Sequence, residues 1–220
     1  LLPDINFHGP AENLKVWHLM THTGGIGEAP TRDDIMDQDA PLWSDVPDIP
    51  RVTEAYAKGI EIEVEPGSKW CYANHAFGLL GEIVERTERT PFEEVAKNRI
   101  FDPLRMTHTD LYDQPHQGLG TGYFHAPDHN ELDILEITGK DQVRYKPVDG
   151  YNIPGPYVFV TPRACGSIQS TIPDMALYAS ALLRRGGDVV KPGTFDNMIA
   201  PHYCPDDRMI SLGLTFQRIP

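Results

Sequence analysis

The longest regular pattern of apolar and polar positions runs from Asn74 to Thr87 and has the period of an amphipathic helix. Its apolar stripe consists of Ala76, Leu80, Ile83, Val84 and Thr87, widened by Phe77 and Leu79. On the other side, Glu82 with Arg86 and Glu85 with Arg89 place opposite charges four residues apart, which favours ion pairs along a helix. We therefore expect this segment to form the main helix of the chain.

Shorter helices are predicted where capping residues or prolines precede apolar positions. They run from Leu14 to Met20 with Asn13 as the cap, from Arg51 to Lys58, from Pro91 to the residue before Asp102-Pro103, from Thr171 as a cap to Gly186-Gly187, and from Thr194 to Ile199. The third helix is expected to stop before Pro103 because a residue that precedes proline disfavours the helical backbone.

Strands are predicted to be few and short. Residues 60–65 alternate between apolar side chains and glutamate, the period of a half-exposed strand, and Pro66-Gly67 turns the chain. Further strands are expected near Tyr123, Ile134 and Val158, within the loop-rich residues 111–162, and over residues 210–216. The pattern predicts an α+β fold that is mostly helical, in one region covering residues 1–220 without an internal linker.

Composition and charge narrow the classes of function. Apolar residues make up 40% of the 220 residues, which is enough to build a buried core. The 32 acidic residues outnumber the 19 basic ones and give a net charge of −13, so nucleic-acid binding is disfavoured because there is no basic surplus. The three cysteines, Cys71, Cys165 and Cys204, are too few for a disulfide framework and contain no C-x-x-C pair, although one bridge remains open in an exported protein.

The ends and the hydropathy of the chain give a few more expectations. No run of 18 apolar residues predicts a membrane span, and no signal-peptide pattern opens the chain. The sequence begins with Leu1-Leu2-Pro3-Asp4 and has no initiating methionine, so we expect the natural N-terminus to lie further upstream. The sequence does not indicate a cell compartment.

Four blocks of sequence carry a resemblance. They are LKVWHLMTHTGGI at residues 14–26, PGSKWCYAN at 66–74, LLGEIVE at 79–85 followed by IFDPLRMTHT at 100–109, and GSIQSTIPDMA at 166–176. In this order and spacing they resemble the serine β-lactamase-like family, which includes class C β-lactamases, D-alanyl-D-alanine carboxypeptidases of the penicillin-binding-protein type, and related esterases. Three positions depart from the usual family residue: Gly24 and Ala73 stand where serine is commoner, and Arg105 where glycine is commoner.

The resemblance implies that these residues form the helical lobe of a β-lactamase/transpeptidase-like fold, with the flanking antiparallel sheet largely missing. Two family motifs are absent, because no serine is followed by lysine three positions later and no K-T-G or H-x-G strand follows the fourth block. Lys191-Pro192-Gly193 fits K-x-G literally, but its position between two helices predicts a surface turn. Apolar surface left bare by the missing sheet would be covered by a second copy of the chain, giving a homodimer, or by a cleaved segment.

The resemblance also implies the chemistry. In the family a serine attacks a carbonyl carbon and forms an acyl-enzyme, and a base must take the serine proton. Tyr72 would be that catalytic residue, together with a lysine from S-x-x-K. A free tyrosine titrates near pH ~10, so nearby cations would have to favour the phenolate. Alternatively, Tyr72 stays neutral and relays a proton between the serine and the leaving group.

Two further residues are candidates for substrate binding. The amide of Asn74 would orient the acyl group of the substrate, although an asparagine at this position could simply cap the helix that begins there. Trp43 is a candidate wall of the substrate groove, because family loops in the region of residues 28–50 help to form the cleft. Tyr151 and Tyr157 are weaker candidates for the same wall.

The histidines do not predict a metal site. His18 and His22 are four residues apart, but the glutamate of H-E-x-x-H is missing. His125 and His129 have the same spacing, with Pro127 between them. We expect His22, with its threonine neighbours, to satisfy backbone groups in a tight turn near the site, where Gly24-Gly25 provides unusual backbone angles.

The function predicted from the sequence is that of a serine hydrolase that acts through an acyl-enzyme on an amide, a lactam or an ester, with a small molecule or peptide as its acyl substrate and no cofactor. These 220 residues alone are expected to be inactive. The alternative is a non-catalytic relative that serves as a binding module. β-Lactams, D-Ala-D-Ala peptides and simple esters share the same chemistry, and the sequence leans toward an esterase or peptidase-like member.

Overall fold

The computed structural model describes residues 1–27, 52–111, 118–125, 163–206 and 208–219, and the backbone of the short strands at 43–44, 132–133, 144–145, 152–154 and 159–160. The α-helices are α1 (Val16–Met20), α2 (Val52–Ala55), α3 (Asn74–Glu88), α4 (Phe92–Ala96), α5 (Asp102–Leu104), α6 (Ile172–Leu183) and α7 (Pro192–Ile199). Lys97–Phe101 forms a π-helical turn, and Ala11–Asn13 and Arg163–Cys165 form 3-10 turns.

The strands contain two or three residues each. They are β1 (Phe7–His8), β2 (Trp43–Ser44), β3 (Ile60–Glu61), β4 (Tyr123–His125), β5 (Leu132–Asp133), β6 (Arg144–Tyr145), β7 (Asn152–Pro154), β8 (Phe159–Val160), β9 (Ser211–Leu212) and β10 (Gln217–Arg218). β1 pairs in parallel with β3, whereas β2 with β8, β4 with β7, β5 with β6, and β9 with β10 are antiparallel. The prediction of an α+β fold that is mostly helical with short strands is confirmed.

Two apolar clusters hold the described residues together. The first surrounds α1, α2, β3 and α3 and consists of Ile5, Leu19, Ile26, Val52, Tyr56, Ile60, Ile62, Ala73, Ala76 and Leu79. The second lies between the segment 96–111 and α6 and consists of Ala96, Phe101, Leu104, Met106, Leu111 and Ala181. The first cluster is the one that supports the candidate site, because it fixes the start of α3.

Helix α3 forms where its periodicity predicted, and Glu82 and Arg86 form the expected ion pair at 2.7 Å. The prediction of a second ion pair, between Glu85 and Arg89, is wrong. The Glu85 carboxylate accepts a hydrogen bond from the Phe92 backbone N–H instead, and Arg89 leaves the helix with a left-handed backbone at φ 56°.

Other boundaries differ from the prediction for local reasons. Asn13 does not cap α1, because its amide donates a hydrogen bond to the Glu65 carboxylate at 2.8 Å. The helix that follows Pro91 does not end before Asp102-Pro103. It continues through the π-helical turn into α5 and stops at Arg105, which has φ 60°. That left-handed angle is the one glycine adopts most easily, which accounts for the family's glycine at this position.

The predicted cap of α6 is confirmed, whereas the predicted C-terminal strand is much shorter than expected. Thr171 caps α6, since its hydroxyl oxygen accepts a hydrogen bond from the Asp174 N–H, as predicted. The strand expected over residues 210–216 is only the two-residue β9, which turns back to pair with β10. Lys191 is the N-cap of α7 and Pro192 begins it, so Lys191-Pro192-Gly193 does not lie on a strand. All three cysteines are free thiols.

Candidate active site

Tyr72, Ala73 and Asn74 lie where the extended segment after Pro66-Gly67 enters α3. Ala73 is the residue that precedes the helix, with φ −143° and ψ 107°, and it is only 2% exposed. The Tyr72 side chain is 46% exposed beside it. The Tyr72 hydroxyl donates a hydrogen bond to Asn74 Oδ1 at 3.0 Å. A buried backbone therefore holds an accessible pair of polar side chains.

Asn74 does not act as a helix cap. The capping position belongs to Ala73, and no side chain caps the N-terminus of α3. The Asn74 carbonyl oxygen accepts from Tyr72, and Nδ2 has no hydrogen-bond partner among the residues that the structure describes. The amide N–H groups are therefore available to donate to a ligand.

The tight turn after α1 holds this segment from one side. The Cys71 N–H donates to the His22 carbonyl at 2.8 Å, and the Gly67 N–H donates to the Thr23 carbonyl at 2.7 Å. His22 has φ 55° and Gly25 has φ 76°, whereas Gly24 has no positive φ. The unusual angles expected of Gly24-Gly25 are thus carried by Gly25 and by His22 itself.

Gly25 is the position in this turn where a side chain has no room. A Cβ there would lie 2.2 Å from the Val64 carbonyl oxygen. Only glycine combines the left-handed backbone with so close an approach to another chain segment. The turn is therefore pressed against residues 62–64, which keeps His22 at a fixed distance from the segment that carries Tyr72.

The His22 side chain makes the closest link to the site. Its Nδ1 accepts a hydrogen bond from the Ala73 N–H at 3.1 Å. Its ring stacks on Phe77 at a centroid distance of 4.9 Å, lies against Tyr72 at 4.6 Å and meets the edge of Trp70 at 6.3 Å. The expectation that His22 satisfies a backbone group near the site is confirmed. Its ring contacts with Tyr72 and Phe77 were not expected from the sequence.

Protonation of this histidine is governed by its surroundings. Burial lowers the pKa of His22 below its ordinary value of 6.5. A neutral imidazole that accepts at Nδ1 carries its hydrogen on Nε2. His18 has the same arrangement, because its Nδ1 accepts from the Lys15 N–H and burial lowers its pKa as well.

A second histidine fixes the start of α3 from the interior. The Tyr56 hydroxyl and Nδ1 of His75 share a buried hydrogen bond at 2.5 Å, which ties the end of α2 to the first turn of α3. Burial raises the pKa of Tyr56, and also raises the pKa of the nearby Cys165 thiol to about 11. Neither group is prepared to act as a base or nucleophile near neutral pH.

The other predicted residues are described only in part. Trp43 lies on β2, where its backbone pairs with Val160, and its side chain is outside the described residues. Tyr151, Tyr157 and His129 are likewise outside them. Within the described ranges, no three His, Cys, Asp or Glu side chains are grouped to hold a metal ion. No helix there is both long and apolar enough to cross a bilayer.

This arrangement can move a proton and orient a carbonyl group. Tyr72 offers a hydroxyl with free lone pairs, Asn74 offers amide N–H donors, and neither is occupied by the core. The family resemblance assigned these roles to the two residues, and the assignment stays a prediction. His22 and Phe77 were missed because their contacts with Tyr72 depend on how the turn meets the helix.

Comparison with known proteins shows the family of the chain. The family model described as Beta-lactamase matches residues 1–203. The chain is 24% identical to the lovastatin esterase of Penicillium rubens over 199 residues, which is 90% of this chain and 46% of that protein. It is 28% identical to a beta-lactamase of Yersinia enterocolitica over 98 residues, covering 44% of this chain and 22% of the relative.

Solved structures show the same fold. The octameric penicillin-binding protein homologue from Pyrococcus abyssi superimposes with a TM-score of 0.68 and 21% identity over 97% of this chain and 45% of its own. The D-amino acid amidase from Ochrobactrum anthropi SV3 gives a TM-score of 0.63 and 21% identity over 92% of this chain and 54% of its own. The chain thus spans about half the length of these proteins or less. The chain belongs to the Beta-lactamase family and has the serine hydrolase fold of that family.

Proposed function

We propose that this chain carries one wall of the acyl-transfer site of a serine hydrolase, with Tyr72 as the proton-transfer residue and Asn74 as the residue that orients the acyl group. The serine and lysine of S-x-x-K would be supplied by sequence that flanks these residues. The observation that carries the proposal is the exposed hydrogen bond from the Tyr72 hydroxyl to Asn74 Oδ1, held on a buried backbone.

The geometry favours a neutral Tyr72 that relays a proton. Its hydroxyl donates to Asn74 and keeps its lone pairs free to accept. In the reaction, the oxygen accepts the serine proton while its own proton turns from Asn74 to the leaving-group atom. The serine oxygen bonds to the carbonyl carbon, and the leaving group departs protonated.

The oxygen and the nitrogen of the Asn74 amide have different roles in this proposal. Its oxygen is engaged by Tyr72, so its nitrogen is the part that faces a substrate. An amide N–H donor suits the carbonyl oxygen of an acyl side chain, or the lactam or ester group itself. We propose an ester or amide of small to peptide size as the substrate class. An esterase and an amidase are among the similar proteins, which supports this substrate class.

Trp43 is retained in the proposal as a wall of the substrate groove. Its test is the binding of a slowly hydrolysed acyl analogue to Trp43→Phe, with Trp17→Phe as the matched control. Weaker binding in the first variant alone would support a contact with the substrate. Equal binding in both variants would remove Trp43 from the site.

The main experiment uses a fluorescent penicillin, a fluorescent phosphonate and an aryl ester on two proteins. The 220-residue chain is expected to be inert. The longest reading frame that contains it is expected to be labelled at one serine, and Tyr72→Phe in that protein is expected to slow labelling by about 10²- to 10⁴-fold. A reading frame that contains S-x-x-K but is never labelled would contradict the hydrolase. It would favour the binding module instead.

The 220-residue chain could also hydrolyse the aryl ester by itself. If that activity survived Tyr72→Phe, it would contradict the assignment of Tyr72. The nucleophile would then be one of the chain's own side chains, and the chemistry would lie away from Tyr72.

A further inference from the structure

Three kinds of contact from one side chain converge on the residues of the proposed site. His22 accepts a hydrogen bond from the Ala73 backbone at Nδ1, lies against the Tyr72 ring, and stacks on Phe77 in the first turn of α3. We propose that His22 is the positioning residue for Tyr72 and Asn74, and that it holds them only while Nδ1 is unprotonated. The consequence for catalysis rests on the proposed function, whereas the positioning itself does not.

The hydrogen bond matters because of where its donor lies. Ala73 is 2% exposed, and as the residue before α3 it has no helical partner for its N–H. Among the described residues, His22 Nδ1 is the acceptor that satisfies this group, across 51 positions of sequence. A buried N–H that loses its partner costs about 1–3 kcal/mol. The backbone between Tyr72 and Asn74 would therefore move to find water or another acceptor.

The ring contributes separately from the nitrogen. The planes of His22 and Phe77 are tilted by 29°, and those of His22 and Tyr72 by 32°. These ring contacts limit the angles that the half-exposed tyrosine ring can adopt. His22 thus restrains the Tyr72 side chain by contact and its backbone by the bond to the following residue.

Protonation removes the hydrogen bond without removing the ring. An imidazolium donates at both nitrogens, so Nδ1 would then present a hydrogen to the Ala73 N–H. Among the described residues, the Tyr72 phenol contacts His22 through its ring, and Cys71 contacts it through its backbone N–H. No described acidic side chain pairs with the imidazole to stabilise its cation. Burial lowers the pKa of His22, so the neutral form predominates at pH 7.

Two variants separate the acceptor from the ring. His22→Asn places Oδ1 where Nδ1 was, keeps an acceptor for the Ala73 N–H, and suits the positive φ because asparagine adopts that backbone readily. His22→Phe keeps an aromatic ring against Tyr72 and Phe77 but has no acceptor. His202→Asn is the matched control, since His202 bonds to the Asn197 carbonyl away from the site.

The experiment is amide hydrogen exchange and nitrogen NMR on the 220-residue chain between pH 8 and pH 5. At pH 8, Nδ1 of His22 is expected to be the unprotonated nitrogen and the Ala73 amide to be protected. As His22 titrates, the protection factor of Ala73 is expected to fall at least about ten-fold, and the Asn74 side-chain amide signals to shift at the same midpoint.

The variants sharpen the outcome. His22→Asn is expected to keep Ala73 protected without the pH step, and His22→Phe to lose the protection at every pH. The proposal is overturned if Nδ1 carries the proton at pH 8, or if Ala73 stays protected in His22→Phe. It is also overturned if Asn74 does not sense the titration of His22. Failure of the serine-labelling experiment with a positive result here would remove the hydrolase and leave the positioning intact.

Discussion

The hydroxyl of Tyr56 and Nδ1 of His75 are joined by a hydrogen bond inside the first apolar cluster, one residue beyond Asn74. Tyr56→Phe removes the hydroxyl and leaves the histidine nitrogen without this partner. We expect the free energy of unfolding to fall by about 1–3 kcal/mol, as for other buried hydrogen bonds. Chemical denaturation measures it directly.

Tyr178→Phe is the matched control for that prediction. Tyr178 is partly buried against the second cluster, and burial raises its pKa, but its hydroxyl has no hydrogen bond among the described residues. This variant is expected to change stability by no more than about 0.5 kcal/mol. Equal losses in the two variants would mean that ring packing, and not the bond to His75, holds the start of α3.

Asn74→Asp distinguishes the role of the Asn74 amide oxygen from that of its amide nitrogen. The carboxylate keeps an oxygen for the Tyr72 hydroxyl but loses the N–H donors that the proposal assigns to the substrate. A negative charge in the first turn of α3 also meets the positive end of the helix, which favours the folded state by about 0.3–1 kcal/mol. We therefore expect unchanged or slightly higher stability, together with acylation of the longer protein slowed at least about ten-fold.

Asn98→Asp is the control for charge alone, because Asn98 is exposed and lies far along the chain from the site. It is expected to leave the acylation rate unchanged. Normal acylation in Asn74→Asp would show that the amide nitrogen does not contact the substrate, and Asn74 would then serve only to hold Tyr72.

The buried histidines give the stability a pH dependence of definite sign. Burial lowers the pKa of both His18 and His22 below 6.5, the value that applies to the unfolded chain. Below that pH the unfolded state binds more protons than the folded state, so stability falls as the pH falls. The contribution is complete above pH 6.5 and is lost between 6.5 and the lower pKa of the folded state.

Urea denaturation between pH 8 and pH 5 tests this sign. In the unmodified chain, the urea concentration at the midpoint is expected to decrease as the pH is lowered below 6.5. In His22→Asn, which lacks one of the two histidines, it is expected to decrease less. A midpoint that rises on acidification would mean that the histidines gain protons on folding, contrary to their burial.

Beside the apolar contacts of the second cluster, one carboxylate joins α6 to the segment that follows Arg105. Asp174 is buried, and its Oδ2 accepts from the His108 N–H at 2.7 Å and from the Thr109 hydroxyl at 2.8 Å. Asp174→Ala leaves both donors without this acceptor and is expected to cost about 3 kcal/mol of unfolding free energy. Thermal unfolding of this variant is compared with Asp188→Ala, which changes an exposed aspartate and is expected to stay within about 0.5 kcal/mol.

Features set by neighbours in sequence were predicted well. The alternation of residues 60–65 matches the burial of Ile60 and Ile62 beside exposed Glu61, and the cap at Thr171 forms as expected. The assignment of Tyr72 and Asn74 to a site rests on ordered blocks of a known family and stays a prediction. Each of these conclusions needed only a short window of sequence or a resemblance.

Features set by distant contacts were not predictable in this way. Pro103 stands in the first turn of α5, where a proline is tolerated, and the π-helical turn leads directly into that helix. The bond from Ala73 to His22 depends on a left-handed histidine in a turn 51 residues earlier. The one local signal was a histidine directly before Thr-Gly-Gly, which suggests a strained turn but not its partner.

Helix α6 is the surface on which self-association is expected. Ile172 and Leu183 are each 87% exposed, and Met175 is also exposed on the same stripe. Apolar side chains in such a row are commonly covered in the assembled protein. We propose a homodimer formed through this stripe, so sedimentation of the 220-residue chain is expected to show a concentration-dependent dimer that Ile172→Glu with Leu183→Glu converts to a monomer.

Met209→Glu places the same charge at an exposed apolar residue outside α6, so it is expected to leave the dimer intact. A chain that sediments as a monomer at its highest soluble concentration would contradict the proposal. Loss of the dimer in Met209→Glu but not in the double variant would move the contact to the C-terminal hairpin.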